Sequence, residues 1–133
     1  VLIGINDIGM MMNTDRTPAQ QEEMMGSFQE HYLELLTILT KSSCSVILME
    51  PFVFSCPAFY ENWKPLLQKM SLIIRTVSIQ FCLPFLSLQK ELDEEVRRYG
   101  YSAITTDGVH LTRQGQQFLA DRLYSCIAEH NYV

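Results

Sequence analysis

Hydrophobic positions change their period several times along the 133-residue chain, and each change marks an element. "VLIGIND" opens with branched apolar residues and breaks at Gly4. It reads as a short buried strand whose C-terminal end delivers Asn6 and Asp7. "IGMMMNTDR" follows as a loop. Thr17, Pro18 and Gln20 then form a helix start: a capping hydroxyl, a proline at the first helical position and a capping-box partner. That helix is expected to run to about Thr40. Its buried stripe is Met24, Met25, Phe28, Tyr32, Leu35, Leu36 and Leu39, at three- and four-residue steps. "SVILMEPF" is a second buried strand, ended by Glu50–Pro51. The loop "VFSCPAFYEN" leads to a helix from about Trp63 to Gln80. "LPFLSL" is a third short strand. "QKELDEEVRRYG" is a short helix, acidic early and basic late as the helix dipole prefers, with Gly100 to end it. Thr112 caps a last helix to about Glu129.

The resulting order is β-α-β-α-β-α-loop-α. Strands alternating with helices predict a parallel sheet covered on both faces. Such sheets bind ligands beyond the carboxyl ends of their strands, and both Asn6 and the loop from Asp107 to His110 fall at that edge. Three strands make a small sheet, and the opening strand has one edge without a partner. Open edges template further pairing. Either another βα unit lies before Val1, or that edge pairs with another chain as a homo-oligomer.

Composition narrows the function. Hydrophobic residues make up 47%, enough for a real core. A net charge of -5 with no Lys/Arg run excludes nucleic acid and an anionic membrane as expected partners. The longest apolar runs are far too short to span a bilayer. Cys44, Cys56, Cys82 and Cys126 form no Cys-x-x-Cys pair and have no histidine at zinc-ligand spacing. They read as free, partly buried thiols, with no metal, in a reducing compartment. The expected location is therefore cytoplasmic, and no signal peptide is visible.

Two short stretches carry candidate chemistry. In "TTDGVHLTRQG" a carboxylate, Asp107, lies three residues before an imidazole, His110. A carboxylate on one ring nitrogen fixes the tautomer, and the other nitrogen then serves as a general base near neutral pH. Taken alone, the same spacing also suits an Asp that satisfies loop amides beside a surface histidine. In "GIND", Asn6 at a strand end offers an amide N–H to a cleft, the donor that an oxyanion hole needs. One such donor is typically worth about 3–4 kcal/mol of transition-state stabilisation. Alone, Asn6 and Asp7 equally suit backbone bonding in a turn.

Together, "IGINDIG" near the start and "DGVHLTRQG" before the final helix resemble the SGNH hydrolases, also called the GDSL lipase/acylhydrolase family. "ILMEPF" and the order of elements between the motifs are similar too. On this resemblance, residues 1–133 form a single but partial SGNH hydrolase-like domain. The implied fold is a flavodoxin-like three-layer α/β sandwich with a parallel sheet, truncated of its first strand or strands. The implied activity is that of a serine esterase acting on a small acyl ester, such as an O-acetyl group on a sugar, without metal or organic cofactor. His110 and Asp107 match the family's catalytic pair, and Asn6 matches its oxyanion Asn.

The family's nucleophile lies in a Gly-Asp-Ser motif that the 133 residues do not contain, and none of their serines sits in Gly-x-Ser-x-Gly. Ser55 is the one substitute to watch, with a loop hydrogen bond as its other role. Loss of a serine nucleophile costs about 10⁶ in kcat in comparable enzymes, so the chain by itself is expected to be close to inactive. The rival expectation is a non-catalytic, self-associating SGNH-like fragment. A flavodoxin-like phosphate binder ranks below both, since methionines occupy the loop where it needs Gly, Ser or Thr.

Other residues have plain readings. His31 is a partly exposed helix histidine, and His130 suits a helix C-terminus. Met10, Met11 and Met12 either line an acyl pocket or pack their loop onto the domain. Phe59, Tyr60 and Trp63 either wall the substrate or anchor a helix. "ELDEEVRR" is a solvated helix face.

Overall fold

A computed structural model of the chain describes residues 1–130. Its elements in order are α1 (Ile5–Met12), α2 (Pro18–Leu39), β1 (Leu48–Met49), a 3-10 helix (Ala58–Trp63), α3 (Lys64–Gln80), β2 (Phe85–Leu86), α4 (Gln89–Tyr99), α5 (Tyr101–Ile104) and α6 (Arg113–Glu129). The strands pair in parallel, Leu48 opposite Phe85 and Met49 opposite Leu86, with α3 in the crossover between them. The molecule is thus a mixed helix and strand fold with a small parallel sheet.

Local chemistry explains most helix ends. Thr17 Oγ1 accepts the Gln20 N–H (3.3 Å) and Gln20 Oε1 accepts the Thr17 N–H (2.9 Å), the reciprocal capping box expected for α2. Thr112 Oγ1 accepts the Gly115 N–H at the start of α6, also as expected. Gly100, at φ +85°, ends α4 in a backbone region that favours glycine. The four-residue α5 that follows it was not foreseen.

The opening segment corrects the sequence reading twice. Val1 does bond as a strand residue, its amino group donating to the Ile47 carbonyl (2.6 Å) and its carbonyl accepting the Met49 N–H (2.9 Å). The chain then turns at Gly4, φ +121°, and Ile5–Met12 is helical, so "GIND" is a helix start and not a strand end. Only glycine suits this turn, because a Cβ there would lie 2.3 Å from Met70 Sδ. The stretch read as a loop of methionines is the rest of α1, with Ile8 and Met11 buried.

The two central strands are also shorter than expected. Pro51 and Pro84 flank them and lack N–H groups, which limits the ladder. The ladder continues just past the assigned pairs, with the Leu48 N–H on the Pro84 carbonyl and the Glu50 N–H on the Leu86 carbonyl (2.9 Å each).

Adjacent residues of β1 enter different cores, as strand alternation requires. Leu48 packs with Ile8, Phe28, Leu36, Trp63 and Ile74 from the helices α1–α3 side. Met49 packs with Leu86, Leu92, Ile104 and Cys126 from the α4–α6 side. A fully buried Leu or Ile of this kind contributes about 1.5–3 kcal/mol.

Glu50 locks the end of β1 to the start of α4. Its carboxylate accepts the Ser71 hydroxyl (2.5 Å), the Ser87 hydroxyl (2.8 Å) and the N–H groups of Leu88 (2.7 Å) and Gln89 (3.0 Å). Burial pushes the carboxyl pKa up, but these four bonds together outweigh it and hold the group below its ordinary value. The Gln89 side chain adds a second tie, bonding both the N–H and the carbonyl of Val53 (3.0 Å each).

All four cysteines are free. Only Cys126 is buried, so the expectation of partial burial is corrected for Cys44, Cys56 and Cys82, which are exposed. No helix among the described residues is long and apolar enough to cross a membrane.

Candidate active site

The loop between α5 and α6 is built around one carboxylate. Asp107 Oδ1 accepts the N–H groups of Val109 (2.9 Å) and His110 (2.8 Å). Its other oxygen, Oδ2, meets His110 Nδ1 at 2.7 Å. One carboxylate oxygen therefore satisfies the loop amides, and the other makes the carboxylate–imidazole contact that the spacing allows. The His110 N–H, the His110 ring and the Val109 N–H hold the Asp107 carboxyl down at about 2. With Nδ1 turned to the carboxylate, the nitrogen on the far side of the ring is Nε2. Both side chains are open to solvent, His110 at 78% and Asp107 at 51% exposure, so a substrate can reach the ring.

The loop is clamped from its own end of the molecule. Buried Thr105 donates its hydroxyl to the His110 carbonyl (2.8 Å) and accepts the Gly108 N–H (2.9 Å). The Phe54 N–H, just after β1, donates to the Gly108 carbonyl (2.8 Å). Gly108, at φ +94°, has no room for a side chain: a Cβ would lie 2.4 Å from the Cys56 carbonyl oxygen and 2.7 Å from the Tyr60 ring.

Asn6 comes to the same place from α1. It lines a cavity of about 510 Å³ with Asp107, His110, Tyr60, Trp63 and residues of the Gly9–Thr14 segment. A second cavity, about 250 Å³, lies on the other side of Ile5, Asn6, Val109 and His110, and extends to Leu2, Ile3, Pro51 and Phe52. Asn6 and His110 thus border both spaces, although 104 positions separate them in the chain. Asn6 sits at the start of a helix rather than at the expected strand end.

The remaining candidates separate. Ser55 donates to the Glu61 carboxylate and lines neither cavity with His110. Of the three methionines, Met10 lines the larger cavity, Met11 is buried, and Met12 packs on the core. Tyr60 and Trp63 line the cavity and pack on the core, while Phe59 stays 52% exposed. Asn13 and Thr14 also line the cavity and were not singled out. Their signal was available only by reading α1 as a helix that ends at the cavity. His31 is exposed, as expected for a surface helix residue.

No family model and no curated protein matches the chain. Among solved structures, the chain is similar to the crystal structure of "a putative GDSL-like lipase" from Parabacteroides merdae. The TM-score is 0.71 at 23% identity, over 96% of this chain and 58% of that one. The chain therefore spans 58% of the length of that structure. At this identity the likeness is one of fold, and it agrees with the α/β, GDSL-like relation that the two motifs suggest.

Proposed function

We propose that the chain is the part of a serine ester hydrolase that carries the base and one oxyanion donor. The fold on this reading is a flavodoxin-like three-layer sandwich, and residues 1–133 are a partial domain of it. The nucleophilic serine comes from a polypeptide segment outside these residues. The observation that carries the reading is the Asp107–His110 bond of 2.7 Å on the wall of a cavity that Asn6 also lines.

The reaction runs in two acyl transfers. His110 Nε2 takes the serine proton as Oγ attacks the ester carbonyl carbon, while Asp107 steadies the imidazolium through Nδ1. The Asn6 amide donates to the oxyanion of the tetrahedral intermediate. Collapse breaks the C–O bond, and the alcohol leaves with the proton from His110. Water then attacks the acyl-serine, again giving its proton to His110, and a carboxylic acid is released as the serine recovers it. No metal or organic cofactor enters these steps. The substrate is a small acyl ester, such as an O-acetyl group on a sugar, whose neutral hydroxyls suit the Asn13 and Thr14 side of the cavity.

A second reading is favoured by the opening segment. Val1 turns its backbone bonds toward β1, and Leu2 and Ile3 stay exposed beside it. The chain on this reading is a non-catalytic fragment that self-associates through that edge.

Intact mass after treatment with a fluorophosphonate probe separates the two. The 133-residue chain is expected to gain no adduct. The same chain extended by its upstream coding sequence is expected to gain one, abolished by His110→Ala. An adduct on the short chain that His110→Ala removes would overturn the external nucleophile, with Ser55 the first residue to map. No adduct on the extended chain would overturn the hydrolase reading itself.

A further inference from the structure

We infer that Tyr60 and Trp63 are positioning residues: together they form an aromatic bridge that sets the spacing between Asn6 and the Asp107–His110 loop. The inference takes its catalytic meaning from the hydrolase reading, but the coupling itself is a property of the packing.

The bridge can be followed contact by contact. Gly9 lies three residues beyond Asn6 on α1, on the same side of the helix. A Cβ at Gly9 would lie 3.3 Å from Trp63 Cη2, so α1 rests its glycine on the indole edge. Trp63 is only 6% exposed and is fixed in the core of α1–α3. Its ring meets Tyr60 edge-on, with centroids 4.6 Å apart and planes at 89°. The Tyr60 ring in turn lies against Gly108, the residue directly after Asp107, where a Cβ would come within 2.7 Å of it. The path from Asn6 to Asp107 is therefore glycine, indole, phenol, glycine.

The two ends differ in degree: at Gly108 a Cβ would lie 2.7 Å from the Tyr60 ring and is excluded, whereas at Gly9 it would lie 3.3 Å from Trp63 and press on the indole. Close-packed rings pass displacements on as rigid bodies, since no void absorbs them. The other restraints on the loop, Thr105 and the Phe54 N–H, tie it to its own side of the molecule and do not reach α1. Val109 also packs its side chain on the core that holds α1, but the aromatic pair is the route that runs through Gly9 and Gly108. A shift of ~1 Å between catalytic groups costs on the order of 10²-fold in rate, so such a spacer acts on turnover without touching the reacting atoms.

The test needs no turnover. In amide NMR spectra of the 133-residue chain, Gly9→Ala pushes on Trp63 and is expected to move the Val109 and His110 N–H resonances. The same movement is expected in a Tyr60→Phe background, which keeps the ring, and is expected to be lost in Tyr60→Leu. Trp63→Phe supplies a second perturbation should Gly9→Ala fail to fold. Leu36→Val, in the same core but off the bridge, is expected to leave both resonances in place. Val109 and His110 amides that ignore both perturbations would overturn the bridge. So would full transmission through Tyr60→Leu, or an equal response to Leu36→Val. If the hydrolase reading alone is wrong, the NMR coupling persists while the extended chain takes no fluorophosphonate.

Discussion

Asp107 carries two tasks on two oxygens, and its titration exposes both. Its carboxyl is held at about 2, first by the His110 N–H, then by the His110 ring and the Val109 N–H. The pKa is depressed relative to the ordinary 3.8, so the loop's charge-assisted bonding is complete above that value. It fades as pH falls from there through the folded value. A ¹³C NMR titration of the Asp107 carboxyl should therefore have its midpoint near 2. In His110→Ala the midpoint should rise but stay below 3.8, because both backbone donors remain. A native midpoint at the ordinary value would mean that the carboxylate is not so engaged in solution. At this scale the sequence was informative because the contact is local: three residues in one turn place both groups within reach. The approach of Asn6 to His110 is not local. No spacing rule predicts it, and only the resemblance of the two motifs to a known family joined them. Tyr60 and Trp63 had their place at the cavity in view, but their contacts with two glycines depend on the packing of three separate segments.

Elements were legible where a side chain commits the backbone. Thr17, Pro18 and Gln20 start α2 as read, and Thr112 starts α6 as read, because a cap acts over three residues whatever surrounds it. α1 was missed although Ile5, Ile8 and Met12 stand at helical spacing. It is eight residues long, it contains Gly9, and it follows an apolar run that does bond as a strand at Val1. Neither propensity nor length marks such a helix; its burial against Trp63 and Met70 holds it. The strands were recognised but overextended, since the prolines beside them limit pairing more than their apolar runs suggest. What ties these short elements together is Glu50, whose pKa is lowered because four hydrogen bonds outweigh its burial. Glu50→Gln, which removes the charge and one acceptor, should cost about 1.5–3 kcal/mol in urea unfolding at neutral pH. A carboxyl with a lowered folded pKa contributes stability above its unfolded pKa and loses it as pH falls through the folded one. The gap between native and Glu50→Gln should therefore narrow in acid, below the ordinary value of 4.5. A gap that is constant from neutral pH into acid would show that the charge contributes nothing.

For the whole molecule, the alternating order of strands and helices was enough to predict a parallel sheet with a core on each face, and the packing of Leu48 and Met49 follows it. The same reasoning raises the expectation of an open edge, since a first strand in such a sheet has one neighbour within these residues. Val1 spends its N–H and carbonyl on Ile47 and Met49. Alternation along an extended segment turns the backbone groups of Leu2 the other way, and Leu2 and Ile3 are 38% and 43% exposed. Exposed apolar residues beside unpaired backbone groups are the conditions for strand addition. The 133-residue chain should therefore show concentration-dependent association in sedimentation velocity. Ile3→Lys, which puts a charge on that edge and leaves the cores untouched, should shift it toward monomer. If residues upstream of Val1 supply a strand on that edge, a chain extended by them should be monomeric at the same concentrations. A short chain that stays monomeric throughout would remove the self-associating fragment as a rival. A short chain whose association ignores Ile3→Lys would place the contact on another face. Association in the extended chain as strong as in the short one would mean that the upstream segment does not cover this edge. On the proposed hydrolase reading, the nucleophilic serine would then have to reach the cavity by another route than a strand beside Leu2 and Ile3.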